Sequence, residues 1–147
     1  MILLSRRSLL ALAAVVDVAI HARPMPVAAK ALAARHDLPP RHLETMLQDL
    51  VRHGVLKGVR GPRGGYELAR ERRRISAGEV VRAVMSEGEE GTVQISRLMK
   101  EVIQPAVDRA SQSFLSVLDD LSIEDLCADA ESRGVFDVQI RADDYAI

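Results

Sequence analysis

The residues best equipped for chemistry crowd into one short run, "RGPRGGY" at positions 60–66. Two guanidinium groups, Arg60 and Arg63, stand among Gly61, Gly64, Gly65 and Pro62. Guanidinium pairs with phosphate in a planar, two-pronged geometry. Glycine tolerates positive φ and close approach of backbone, and proline sets φ early in a turn. The run therefore reads as a hairpin tip that presents cations. It is not a nucleotide phosphate loop, because it lacks the strand-to-helix context and the Lys-Ser/Thr ending. No Ser-His-Asp order stands out elsewhere, and His21, His36, His42 and His53 lack metal-ligand spacing. Cys127 is the single cysteine, which excludes an internal disulfide and a cysteine-rich metal site. It is expected to be a small buried hydrophobe, with a redox thiol as the alternative. The chemistry on offer is recognition of an anion, and an enzyme is not expected.

The charge distribution agrees. Over 147 residues the net charge is only −1. Residues 1–75 nonetheless hold 14 Lys and Arg against 6 Asp and Glu, and residues 76–147 hold 6 against 15. A basic half facing a polyanion and an acidic half with another task is the natural reading. Aromatic residues make up 3% of the chain, too few for the stacking platforms of single-strand binders. The core must be aliphatic. A lone cysteine fits a reducing compartment, so a cytoplasmic location is expected.

Several elements must position the arginines. Residues 5–22, "SRRSLLALAAVVDVAIHA", resemble an export signal, but Asp17 interrupts the apolar stretch and Leu9–Ile20 is too short to cross a bilayer. An amphipathic helix is expected instead, with Leu9, Leu12, Ala13, Val16, Ala19 and Ile20 on its buried face. Arg6 and Arg7 at its start oppose the helix dipole, which implies an anion nearby. A second helix is expected over 26–37, with Pro26 in its first turn and Ala28, Ala31 and Leu32 inward. The third, 40–54, carries Leu43, Met46, Leu47, Leu50 and Val51 on one face and stops at Gly54. Residues 55–70 then read as a two-stranded hairpin around the glycine tip. A helix-turn-helix followed by a hairpin is a winged helix.

Downstream, Ser76 and Glu79 form a capping box for a helix over 75–86. An acidic loop, 87–92, precedes a long helix whose apolar positions are Ile95, Met99, Val102, Ala106, Ala110, Phe114, Val117 and Leu121. Such a seam suits pairing with another helix. Pro105 predicts a kink there, or a second helix starting close by. Ser122 with Asp125 opens a last helix over 122–131, and Phe136, Val138 and Ile140 alternate as in a short strand or a loose end. The expected fold is mainly α with a small β-hairpin. Three regions are expected: a winged helix-turn-helix domain over 1–86, a loop and helices suited to pairing over 87–131, and a tail over 132–147; the resemblance described next makes the first a DNA-binding domain and the second the dimerisation helices.

"GVRGPRGGYELAR" followed by "ISAGEVVRAV" resembles the Rrf family of bacterial winged-helix transcription regulators. The first helix and "PAVDRASQSFLSVLDDLSIEDL" are also similar to that family, so the likeness runs over about residues 1–128. The resemblance implies a homodimer on a palindromic double-stranded DNA operator, acting as a repressor or activator, with repression the expected sign. It places helix 40–53 in the major groove with Arg41, His42, Glu44 and Thr45 near base edges. Arg60, Arg63, Gly64, Gly65 and Tyr66 would meet the minor groove, with Arg6, Arg7 and Lys30 as further DNA contacts. Met99, Val102, Ala106, Ala110, Phe114, Val117 and Leu121 would form the dimer seam. One departure matters: cluster-binding relatives carry three cysteines in the loop before the long helix, and "EGEEGTVQ" has none. Carboxylates are poor ligands for iron–sulfur clusters, so no cofactor is expected. The signal is then an unidentified small molecule, partner protein or redox state. The competing reading is a winged-helix module whose basic half binds an acidic protein rather than DNA.

Overall fold

A computed structural model describes residues 4–85 and 96–136. Chain order is α1 (Arg6–His21), α2 (Ala29–Arg35), α3 (Pro40–Arg52), β1 (Leu56–Val59), β2 (Gly65–Leu68), α4 (Ala77–Val84), α5 (Gln104–Asp119) and α6 (Ile123–Ser132). The loop 87–92, Ile95 of the seam, and Val138 and Ile140 of the tail lie outside the described residues.

Local sequence accounts for the helix ends. Ser5 caps α1 by accepting from the Ser8 amide, Ser76 and Glu79 close a reciprocal capping box on α4, and Ser122 and Asp125 close another on α6. Each box satisfies donors that a helix start leaves unpaired. Gly54 ends α3 with φ at 75°, where a side chain would be strained.

The core is aliphatic. Leu43, Met46, Leu47 and Leu50 of α3 meet Ala11, Val15 and Val18 of α1, Leu32 of α2, and Val80 and Val84 of α4, all buried. The predicted stripe of α3 holds except at Val51, which lies at its edge and is exposed. On α1 the structure corrects the expected face. Ser8, Ala11, Ala14, Val15, Asp17, Val18 and Ala19 are buried, whereas Leu9 is exposed and Leu12, Ala13, Val16 and Ile20 are half-buried. Almost every position from 9 to 20 is apolar, so periodicity alone could not choose a face. The chosen one carries small residues against α4 and aims Asp17 inward.

The second helix is also shorter than expected. Residues 26–28 are not helical, and Val27 forms an antiparallel bridge with Tyr66, its amide 2.9 Å from the Tyr66 carbonyl and its carbonyl 2.7 Å from the Tyr66 amide. Backbone claimed by the hairpin cannot also turn a helix. Leu32 and Ala33 are the buried residues of α2, and Ala28 is exposed.

β1 and β2 pair antiparallel, with Leu56 opposite Leu68 and Val59 opposite Gly65. Helix-turn-helix plus hairpin make the winged helix, and the molecule is mainly helical. Beyond it, Pro105 does not stop the chain. The helix widens into a π turn over Met99–Ile103 and continues as α5 with Pro105 in its first positions. Proline cannot donate to the preceding turn and its ring crowds the carbonyl four residues back, which the wider turn relieves. α5 has no fully buried residue, while α6 contributes Ile123 and Cys127 to the core.

Candidate nucleic-acid interface

Helix α3 is amphipathic, and burial of one side leaves the other wholly outward. Arg41, His42, Glu44, Thr45, Gln48 and Arg52 are exposed along it. The helix begins at Pro40, suited to a first turn because it has no amide hydrogen to leave unpaired. The same end carries the positive pole of the helix dipole, which favours an anion.

Two devices hold α3 in place. Arg7 of α1 donates through Nη2 to Asp49 at 2.5 Å and through Nε to the Val84 carbonyl at 3.3 Å. One side chain thus links α1, the last turn of α3 and the end of α4. The anion implied by the basic start of α1 is, for Arg7, this internal carboxylate. Arg6 is exposed and lines a cleft of about 380 Å³ with Leu10, Leu38, Pro39, His42 and Met46. The structure therefore brings Arg6 beside the first turn of α3 and pairs Arg7 with Asp49. Lys30 is exposed at the start of α2.

The second device fixes α2. Asp17 is fully buried and accepts from Arg35 Nε and Nη2 at 2.8 and 2.6 Å. The ring of His36 lies 2.9 Å from the same carboxylate, and that of His21 lies 3.0 Å from it. Burial pushes the Asp17 carboxyl up, but hydrogen bonds from His36 and Arg35 and the charges of Arg35 and His21 outweigh burial and bring it down to about 2. The sequence offered one signal for this hub, a carboxylate inside an apolar helix. His21 follows Asp17 at helical i,i+4 spacing, but Arg35 and His36, 18 and 19 residues downstream, follow no local spacing.

The wing glycines answer to geometry. A Cβ on Gly64 would sit 2.2 Å from the Val59 carbonyl oxygen, and one on Gly65 would sit 2.3 Å from that of Val27. Both are far inside contact distance, so the tip and the Val27 bridge require glycine. Gly61 takes φ of 114°. Arg60 and Arg63 are exposed at this tip. Lys57 and Glu67 pair across the strands at 3.0 Å. Tyr66 is half-buried and packs on the core, where it anchors the wing.

A third basic group lies behind the wing. Arg70 donates to both carboxylate oxygens of Glu79 at 3.1 Å and to the Arg74 carbonyl at 3.2 Å. These bonds fasten the hairpin's exit to the capping box of α4.

Among the described residues, no three His, Cys, Asp or Glu side chains converge to hold a metal ion. Nor is any described helix long and apolar enough to cross a membrane.

The comparisons with known proteins agree with this architecture. Residues 4–129 match the family model described as Rrf2, iron-dependent transcriptional regulator. The chain is 31% identical over 136 residues to the HTH-type transcriptional regulator IscR of Xenorhabdus nematophila, covering 88% of this chain and 81% of that protein. Among solved structures, IscR of T. potens superposes with a TM-score of 0.70 at 31% identity, covering 88% of this chain and 89% of that one. CymR, the global cysteine regulator of B. subtilis, gives 0.66 at 25% identity, with 87% and 98% covered.

Proposed function

The chain belongs to the Rrf2 family of transcriptional regulators, and from that premise we propose that it is a cytoplasmic homodimer that represses transcription from a palindromic operator. One α3 enters each of two major grooves, about 34 Å apart. Arg41, His42, Glu44 and Thr45 face base edges, where Arg reads guanine and Glu accepts from cytosine. Arg6 and Lys30 meet phosphates beside α3. Arg60 and Arg63 flank the wing tip at the minor groove, with Gly64, Gly65 and Tyr66 shaping it.

The observation that carries this reading is the outward row of α3. Four polar side chains of different hydrogen-bonding character stand exposed on a helix clamped through Asp49 and flanked by two exposed arginines at the wing tip. A merely solvated face has no need of such clamps.

The dimer is supported by α5 and the π turn that leads into it. Met99, Val102 and Val117 are 49%, 56% and 70% exposed although apolar. With Ala106, Ala110, Phe114 and Leu121 they follow the three-and-four spacing of a helix-pairing seam. The family model's iron dependence does not fit the donors of this chain. Its only cysteine is buried in α6, and a cluster needs several thiolates. We infer a regulator without a cluster.

Electrophoretic mobility shifts on genomic fragments test the DNA reading. Affinity should fall steeply with salt, with a logarithmic slope near −0.9 for each phosphate neutralised. Arg60→Ala and Arg63→Ala should each weaken binding and flatten that slope by about 1. Unchanged affinity and slope in both variants would remove the wing from the interface.

A further inference from the structure

The outward face of α3 continues beyond Thr45. At 3.6 residues per turn, Arg41, Thr45, Gln48 and Arg52 fall within about 60° of one another around the helix axis. They lie opposite the buried Leu43, Met46, Leu47 and Leu50, and His42 and Glu44 flank the row on either side. Gln48 is exposed, and its amide has no hydrogen-bond partner among the described residues. Arg41, Glu44, Thr45 and Gln48 stand at i, i+3, i+4 and i+7, the spacing by which one helix aligns four side chains with base edges along a major groove. From Arg41 to Gln48 the helix rises about 10 Å, about three base-pair steps. Arg52 lies one turn further, at the end of the helix, and is 72% exposed. Its one ion pair among the described residues is with Asp49, at 3.4 Å. Arg7 holds Asp49 more closely, so Arg52 can turn outward without stranding that carboxylate.

We propose that Gln48 reads an adenine in each half-site and that Arg52 holds a phosphate where the helix leaves the groove. A glutamine amide carries an acceptor and two donors, so it can accept from adenine N6 and donate to adenine N7 at once. In the major groove only adenine presents a donor beside an acceptor on one base. The bond from Arg7 to Asp49 fixes the helix at the residue next to Gln48, so little freedom remains to be lost when the amide binds. Arg52 acts differently: a guanidinium on a phosphate sets position and adds affinity on any sequence, but it carries no base preference. Both assignments rest on the DNA-binding function proposed for α3.

Mobility shifts with the full chain test this, first on a pool of randomised duplexes to select a preferred sequence, then on derivatives of that duplex with each base pair replaced in turn. For the wild type, replacing one A·T pair per half-site should cost about tenfold in affinity, the worth of a bidentate contact. Gln48→Ala should erase that cost and leave the costs at other pairs unchanged. Gln48→Glu should move the preference at the same position from adenine to cytosine, whose N4 donates to a carboxylate. Arg52→Ala should weaken binding to every derivative by the same factor and flatten the logarithmic salt slope by about 1. Circular dichroism checks that the variants, all at exposed positions, keep the fold. Gln48→Ala that retains wild-type discrimination at every pair, or that weakens all duplexes equally, overturns the reading by Gln48. Arg52→Ala that leaves the salt slope unchanged, or that alters discrimination, overturns the phosphate contact. A wild type that enriches no duplex overturns the proposed function itself, a result visible before any variant is made.

Discussion

Arg35, at the end of α2, clasps Asp17, in the middle of α1, with two nitrogens on two oxygens at 2.8 and 2.6 Å. The carboxylate is fully buried, so this fork, with His21 and His36 around it, sets how the helix-turn-helix sits on the first helix. A buried ion pair adds little net stability against an apolar replacement, but losing one partner strands the other. Asp17→Asn should therefore cost about 3 kcal/mol in urea unfolding. A loss below about 0.5 kcal/mol, the scale of a surface change, would mean that Arg35 needs no partner there.

The same carboxylate gives a pH signature. Its value is about 2 in the fold against an ordinary 3.8. The unfolded chain thus takes up this proton more readily than the folded one. The stabilisation is complete above about pH 5 and fades as pH falls toward 2, by about 2 kcal/mol in all. Urea midpoints of wild type and Asp17→Asn should converge between pH 5 and pH 2. Parallel curves over that window would show that Asp17 is not ionised in the fold.

The wing offers a contrast among glycines. Gly64→Ala and Gly65→Ala drive a methyl into backbone carbonyls at 2.2 and 2.3 Å, with no flexible neighbour to yield. Each should lower stability by about 1–3 kcal/mol and weaken DNA binding by displacing the tip or the Val27 bridge. Gly58, on the same hairpin, has nothing within 4 Å of an added Cβ, so Gly58→Ala should leave the melting temperature close to wild type. Thermal melts of the three variants settle the order, and equal effects at all three positions would dissolve the distinction.

Much of this was legible in the sequence because it is local. The stripe of α3, the capping boxes at Ser76 and Ser122, and the glycine tip each declare themselves within a few residues. Where information was distant or degenerate, sequence reading failed. The apolar run of α1 suited several faces, and only packing against α4 chose one. Val27 looked like the start of a helix until Tyr66, 39 residues on, claimed its backbone. Arg7 carried no sign of Asp49, 42 residues on, which only the fold brings to it. The polar face of α3 was readable; the clamps behind it depend on pairs brought together only by the fold.

The seam along the π turn and α5 yields a prediction that separates assembly from folding. Val102 and Val117 are exposed in the protomer, so a charge there costs the isolated chain little, within about 0.5 kcal/mol. Paired against a second copy, the same charge would be buried without a partner. Val102→Glu with Val117→Glu should turn a dimer into a monomer in sedimentation velocity at micromolar concentration, with helix content unchanged by circular dichroism. A double variant that sediments as a dimer would place the interface elsewhere.

Cys127 is the last discriminating residue, because a redox signal and a structural thiol make opposite demands. It is fully buried in α6. Burial pushes its thiol up, against the charge and hydrogen bond of Arg72, while Glu124 and Glu131 add to the rise. The nucleophile is the thiolate, and a sensor thiol is accessible with a lowered value. Cys127 has neither property. Ellman's reagent should therefore react with the native protein only as α6 opens, and rapidly once urea unfolds it. Cys127→Ala should retain DNA binding under both reducing and oxidising conditions, with a modest loss of stability from the missing sulfur. Fast, stoichiometric labelling of the native protein would contradict the burial and return Cys127 to the signalling role that its surroundings argue against.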